Sequence, residues 1–259
     1  GGSAICIPDR KPESVCQIIE ETKATLLPTT PTFINMLIAS RSYQNFDLSS
    51  IKLITYGTEV MPESTLVKLK GIFPNAKIKQ TYGLSELGVL RSKSKSDNSV
   101  WVKVGGEGFE TKIIDGYLWV RSHSNMVGYL NAPNPINKKG WMNTGDQVEV
   151  KGDYIKILGR KSEMINIGGQ KVFPIEIETV LLEAENITEA TVFGKDHPIM
   201  GKVLSANISL KTPESLSELK DRLRKHCVNK LANWKVPLRF NIMSNEKQHN
   251  ERFKKIRNQ

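Results

Sequence analysis

Tyr82-Gly83-Leu84-Ser85-Glu86 sets an aromatic ring, a hydroxyl and a carboxylate on one short stretch of chain. Further on, Thr144-Gly145-Asp146 and Gly159-Arg160 supply a carboxylate and a guanidinium, a pair able to grip a ribose diol. In this order the residues read as a nucleotide-handling site. Upstream, Tyr56-Gly57-Thr58-Glu59 precedes Met61-Pro62, where a glycine permits close approach of the backbone to a neighbour. A plain strand-to-helix turn accounts for Gly57 and Pro62 almost as well. Downstream come Gly168-Gly169 and the run Pro174-Ile175-Glu176-Ile177-Glu178. The two glycines could equally form a tight hairpin turn with no ligand, and Glu176 and Glu178 read as helix-surface or core-edge acids.

Elements that would position these side chains can be traced by period. Residues 14–21 carry apolar side chains at helical spacing, and Ala24-Thr25-Leu26-Leu27 reads as a short strand ended by Pro28. Helical period returns over 31–40 and 62–72, with a β-rich stretch at 51–56 between them. This alternation predicts parallel βαβ units. A strand over 77–81 runs into the Tyr82-Gly83 turn, which puts Ser85 and Glu86 at the carboxyl end of a sheet strand, where open α/β sheets bind ligands. From Trp101 the period falls to two through 111–114, 117–120, 147–150 and 154–157, with Asp115-Gly116 and Gly152-Asp153 as hairpin turns. That is a small antiparallel sheet or barrel. After Gly159-Arg160, helices over 174–183 and 215–231 and strands over 187–193 and 203–210 make an α+β unit. The expected division is 1–160 for part of a large domain (1–100 α/β, 101–160 antiparallel β) and 161–259 for a smaller one. Residues 92–99, alternating Lys and Ser, are expected to form a mobile loop.

Composition narrows the classes. In 259 residues, 39% hydrophobic and 25% charged content is globular rather than disordered or fibrous. No apolar run has the length of a membrane span, and no basic-then-apolar leader opens the sequence. Cys6, Cys16 and Cys227 lack metal-binding or disulfide-framework spacing, so a reducing cytoplasm is the expected location. The formal charge of +10 is spread over both halves and interrupted by acids, with no DNA- or RNA-reading motif, so no nucleic-acid partner is expected.

The order of these motifs resembles the acyl-activating, adenylate-forming ligases, which include acyl-CoA synthetases, the adenylation domains of peptide synthetases and luciferases. The resemblance implies activation of a carboxylic acid by ATP as an acyl-adenylate, then transfer to coenzyme A or a carrier-protein phosphopantetheine. It gives the Tyr82 ring to adenine, with Gly83 beside it, the Ser85 hydroxyl to the α-phosphate, and Glu86 to Mg2+. Gly57, Thr58 and Glu59 fall to the base edge, Asp146 and Arg160 to the ribose. Ser162, with Lys161 next to it, stands where the family has the hinge of a swivelling small domain, and Gly168 and Gly169 line the thiol channel. The family's adenylation lysine matches Lys254 in Phe253-Lys254-Lys255-Ile256-Arg257, with Lys255 as runner-up.

One family element is not found. A Ser/Thr/Gly-rich phosphate loop ending in Pro-Lys, whose amides and lysine hold the β- and γ-phosphates, has no counterpart in these residues. The resemblance thus covers the second half or so of a typical member, and the expectation is a truncated form or a missing half supplied as another chain, poorly active alone. The alternative from another class is a non-catalytic binding or assembly module that keeps the fold. Leu84, Leu87 and Gly88 point to an apolar acyl pocket and so to fatty or aryl acids.

Overall fold

The computed structural model describes residues 2–7, 9–198, 200–244, 248 and 255. Its first part alternates helix α1 (Pro12–Thr22), strand β1 (Leu26–Thr29), helix α2 (Pro31–Ser40), strand β2 (Leu53–Tyr56), helix α3 (Glu63–Ile72) and strand β3 (Lys77–Gln80). The three strands are parallel, in the order β1-β2-β3. Helix α2 begins where local chemistry dictates. Pro31 fills its first turn, where an N–H has no helical partner, and the Thr30 hydroxyl caps it by accepting from the Phe33 N–H. The apolar helix faces meet the sheet around Ile19, Ile34, Leu37, Ile54, Leu66 and Leu69. Pro28 does not end β1 but sits inside it, opposite Thr55. β1 is the edge strand, where a residue without an N–H removes no ladder bond.

After β3 the chain makes a short hairpin of β4 (Tyr82–Leu84) and β5 (Gly88–Leu90), with Ser85, Glu86 and Leu87 at its tip. The predicted Tyr82-Gly83 turn is instead a strand, and the chain turns over 85–87 between its own strand pair. Gly83 permits it, because a Cβ there would lie 2.8 Å from the Gly88 carbonyl oxygen and 2.9 Å from the Val89 Cα.

Six strands then form the antiparallel sheet: β6 (Ser92–Ser94), β7 (Val102–Val104), β8 (Phe109–Ile114), β9 (Tyr117–Ser122), β10 (Trp141–Lys151) and β11 (Tyr154–Arg160), ordered β6-β7-β11-β10-β9-β8. Part of the expected loop at 92–99 is thus an edge strand. Its polar sequence gives no strand signal; pairing with β7 imposes the conformation, and the Ser92 hydroxyl donates to the Gln80 carbonyl at 2.7 Å while Ser94 accepts from the Gln80 N–H at 3.0 Å. Asp115 and Gly116, with φ of 53° and 77°, make the predicted hairpin turn.

A 3-10 turn, Lys161–Glu163, leads to the last part: hairpin β12 (Ile165–Ile167) and β13 (Gln170–Val172), helix α4 (Pro174–Leu182), strands β14 (Ile187–His197) and β15 (Gly201–Leu210), helix α5 (Leu216–Val228) and strand β16 (Arg239–Ile242). β14 and β15 are antiparallel, and β16 lies parallel to β15. Ser215 and Glu218 open α5 with reciprocal side-chain-to-backbone bonds. Helix and sheet faces close over Ile177, Leu181, Val192, Ala206, Leu219 and Leu223. The whole is an α/β large-domain portion with an antiparallel β unit, followed by a smaller α+β C-terminal domain, as the sequence predicts. Among the described residues no helix is long and apolar enough to cross a membrane.

Candidate functional site

A bulge in β10 builds the centre of the site. Pairing with β9 runs through Asn143 and resumes at Gln147, and between them Gly145 takes a φ of 75°, a conformation that suits glycine. Thr144 fixes the bulge: its hydroxyl donates to the Leu118 carbonyl at 2.9 Å and accepts from the Asp146 N–H at 3.1 Å. Asp146 is thereby turned inward, with its side chain 5% exposed, directly opposite Arg160 in the β10–β11 register. Its carboxylate accepts from Arg160 Nε at 3.0 Å and from the Tyr82 hydroxyl at 2.5 Å. Burial, and then the Asp146 charge, push the Tyr82 phenol far above its ordinary value of 10, so it stays a donor. Arg160 is 51% exposed and can exchange its partner for a ligand.

This chain of three borders a cleft of ≈ 200 Å³ between the large-domain portion and the C-terminal domain. Thr58, Glu59 and Gly83 line it from one side, and Glu178 and Lys255 from the other. Thr58 has a φ of 70°, costly for a β-branched residue and of the kind that collects at functional sites. Glu59 accepts from the Thr32 N–H at 3.2 Å and the Thr32 hydroxyl at 2.6 Å in the first turn of α2. Its carboxyl is raised above the ordinary 4.5, chiefly by burial.

Other expected site residues lie elsewhere. Gly57 is buried behind the cleft, and its missing side chain serves strand packing: a Cβ would stand 2.5 Å from the Thr81 hydroxyl and 2.9 Å from the Thr81 carbonyl oxygen. Ser85 and Glu86 occupy the β4–β5 tip outside the cleft lining, and Glu86 accepts from the Tyr129 hydroxyl at 2.5 Å. Gly168 and Gly169, with φ of 58° and 86°, make the exposed turn of the β12–β13 hairpin, outside the cleft lining. Lys161 and Ser162 are exposed in the 3-10 turn after Arg160. Lys254 lies outside the described residues.

Glu178 is not an edge acid. It is fully buried on the inner face of α4, accepting from the Val192 N–H at 2.9 Å and facing Lys255 Nζ at 3.1 Å. Glu189, from β14, stands 2.9 Å from the same nitrogen. Glu176 does lie on the helix surface, paired with Lys235 at 2.5 Å. Thr32, Tyr129 and Glu189 carry no signal in the sequence, because each meets its partner across the fold rather than along the chain.

Charge and donor types limit what the cleft can hold. Its lining sets Glu59, Asp146, Glu163 and Glu178 against Arg160 and Lys255. That balance suits the ribose and base of a nucleotide better than a row of phosphates, whose recognition needs cations and backbone amides. Asp146 with Arg160 offers an acceptor and a donor to vicinal hydroxyls, and the Tyr82 ring offers an aromatic face, so the residues fit a nucleoside monophosphate. Among the described residues no three His, Cys, Asp or Glu side chains converge to hold a metal. Glu86 fits Mg2+ only as one carboxylate beside phosphate oxygens, a common way of holding that ion.

Comparison with known proteins identifies the family. Acyl-CoA synthetase 7 of Caenorhabditis elegans is 31% identical over 240 residues, covering 86% of this chain and 44% of that protein. 4-Coumarate–CoA ligase 4 of Arabidopsis thaliana is 29% identical over 241 residues, 84% of this chain and 42% of the relative. The chain thus spans less than half the length of these relatives. In fold, an anthranilate CoA ligase solved with anthranoyl-AMP superposes with a TM-score of 0.80 at 24% identity, over 94% of this chain and 51% of that one. The o-succinylbenzoate CoA synthetase of Bacillus subtilis, solved with its acyl-adenylate intermediate, gives 0.69 at 25% identity, over 96% and 53%. The family model for AMP-binding enzymes matches residues 1–130, and the model for their C-terminal domain matches 176–254. The chain belongs to the AMP-binding enzyme family.

Proposed function

We propose that this chain is the nucleotide-gripping and domain-moving portion of an AMP-forming acid–thiol ligase. In the first half-reaction an oxygen of the acid carboxylate bonds to the α-phosphorus of ATP while the bond to the β-phosphate bridge breaks and pyrophosphate leaves. In the second, a thiol sulfur bonds to the acyl carbon, its proton passes to water, and AMP leaves. The thiol belongs to coenzyme A or to a carrier-protein phosphopantetheine. Catalysis of this kind is mainly positioning and charge placement.

The roles are those that the family resemblance assigns. Asp146 accepts from the ribose hydroxyls and Arg160 donates to them, with Tyr82 against adenine and Thr58, Glu59 and Gly83 around the base. The Ser85 hydroxyl serves the α-phosphate and Glu86 one Mg2+ position. Lys254 bridges the acid carboxylate and the α-phosphate. Residues 161–259 turn about Lys161 and Ser162 between the half-reactions, bringing the Gly168-Gly169 turn toward the thiol path. Fatty or aryl acids are the substrate class, in keeping with the 4-coumarate–CoA ligase among its relatives, and a reducing cytoplasm is the location.

The observation that carries this reading is the Tyr82–Asp146–Arg160 chain opening onto a cleft between the two domains. Calorimetric titration of the chain with AMP tests it. One site, lost in Asp146→Ala, is expected; no heat with AMP overturns the reading. Acid-dependent pyrophosphate exchange after adding an N-terminal half from a relative then tests the chemistry, and binding without exchange would leave a nucleotide-binding module.

A further inference from the structure

A second cleft, of ≈ 380 Å³, opens where α2 and α3 meet the end of α4 and the start of β14, and among the described residues it shares only Asn35 with the first. Its charge is of one sign. Arg41 at the end of α2, Lys68 of α3 and Lys211 after β15 line it, and no described carboxylate does. None of these three side chains has a hydrogen bond or an ion pair among the described residues. Glu214, which accepts from the Asn186 amide at 3.1 Å beside the cleft, is already taken by Arg222 through bonds of 2.9 and 2.7 Å. Asn35 is 7% exposed, and its oxygen accepts from the Thr65 hydroxyl at 2.7 Å. Its NH2 is a donor without a partner among the described residues, and donors so deep are normally satisfied.

The carboxyl-terminal ends of α2, α3 and α4 reach the same cleft and account for part of the positive charge. Each end carries about half a negative charge, so three full cations exceed them by roughly one and a half charges. Two of the cations stand on the large-domain portion and one on the C-terminal domain. The arrangement of domains seen here therefore brings like charges together with nothing of opposite sign between them.

We propose that this cleft binds a multiply charged phosphate anion, of the size of pyrophosphate, which clamps the two domains in this arrangement. A single carboxylate would answer one cation, whereas joined phosphates carry several charges on oxygens spread widely enough to reach both bodies. Arg41 offers a fork that matches two phosphate oxygens, the lysines act as point charges, and the Asn35 NH2 adds a neutral donor. Nothing in this site depends on the ligase reading.

Calorimetric titration of the intact chain with inorganic pyrophosphate at low salt tests the site. One site is expected, weakened at least ~10-fold by Lys211→Glu and by Arg41→Gln combined with Lys68→Gln, and kept within ~3-fold in Arg160→Ala, which alters the first cleft. Amide hydrogen exchange over 38–41 and 182–188 is expected to slow with pyrophosphate in the parent chain. In Lys211→Glu it is expected to be slow without the anion, because the new carboxylate takes its place. No heat, several equal weak sites, or equal affinity for sulfate overturns the proposal. Loss of the heat in Arg160→Ala with Lys211→Glu silent overturns it as well, by moving the anion to the first cleft. In Asp146→Ala, tighter binding of ADP than of pyrophosphate to the Lys211-dependent site supports the diphosphate of a nucleotide as the ligand, and the opposite order supports the free anion. AMP reads the first cleft and pyrophosphate the second, so either reading can fail alone.

Discussion

Two buried acid–base clusters face each other across the cleft, and they are built for opposite ends. Asp146 is as buried as Glu178 and Glu189, yet its cationic partner Arg160 is half in solvent, and its second contact is a neutral phenol. Around Lys255, with Glu178 and Glu189, all three charged groups form a cage out of water, and Glu59 of the large-domain portion is close enough for its carboxyl to feel the Lys255 charge. A pair with one wet member can open to a ligand at little cost, since water screens what is exposed. A dry cage cannot, because separating its members strands a charge. Burial of the carboxylate alone does not mark a binding site; accessibility of its partner does.

The largest effect that could break this comparison is Lys255→Met. It removes the buried ammonium that faces both Glu178 and Glu189 and is expected to cost the C-terminal domain about 3–5 kcal/mol in urea unfolding. Cys227, buried in that domain with its thiol pushed up to about 11 by burial, should then become alkylatable while Cys16, buried in the large-domain core, stays protected. A loss below about 1 kcal/mol would make the cage no stronger than a surface pair. Next comes Asp146→Ala, expected to lower AMP affinity at least ~10-fold by calorimetry and stability by about 1–3 kcal/mol, since the buried Tyr82 hydroxyl loses its acceptor. Asp146→Asn keeps an acceptor for Tyr82 and should recover most of the stability but not the affinity.

A smaller, pH-dependent effect belongs to Glu59. Its carboxyl is raised above 4.5, mainly by burial, with Thr32 and Lys255 pulling it down. A carboxyl raised in the folded chain contributes stability in full below its unfolded value and loses it as pH climbs through the folded one. Glu59→Gln removes that loss, so urea midpoints should move in the variant's favour between pH 4 and pH 7. A constant difference over that range would show that Glu59 ionises as freely as a surface acid. The smallest effect is Tyr129→Phe, which deletes a solvent-exposed bond to Glu86 and should leave the melting temperature unchanged while freeing that carboxylate for Mg2+-dependent nucleotide binding.

Regularities that repeat along the chain were legible. Helical and two-residue periods located the βαβ units and the antiparallel sheet, and Asp146 with Arg160 could be paired because a hairpin lies between them. Contacts made by residues far apart in sequence were not. Glu178 sits among apolar residues of α4 like any helix acid, and only the approach of Lys255 and β14 makes burial tolerable. Ser92–Ser94 has no strand propensity and becomes one through β7 and Gln80. Gly57 reads as a glycine for a ligand, whereas Thr81 occupies the space a side chain would need.

Arg160 is the last residue of β11, and the 3-10 turn starts at the next one. The guanidinium that closes the Asp146 pair thus hangs from the final rigid rung before the chain crosses into its other domain. Under the proposed swivel, a ligand that draws this side chain aside would pull on the residue next to the joint, so one contact would link pocket occupancy to domain angle.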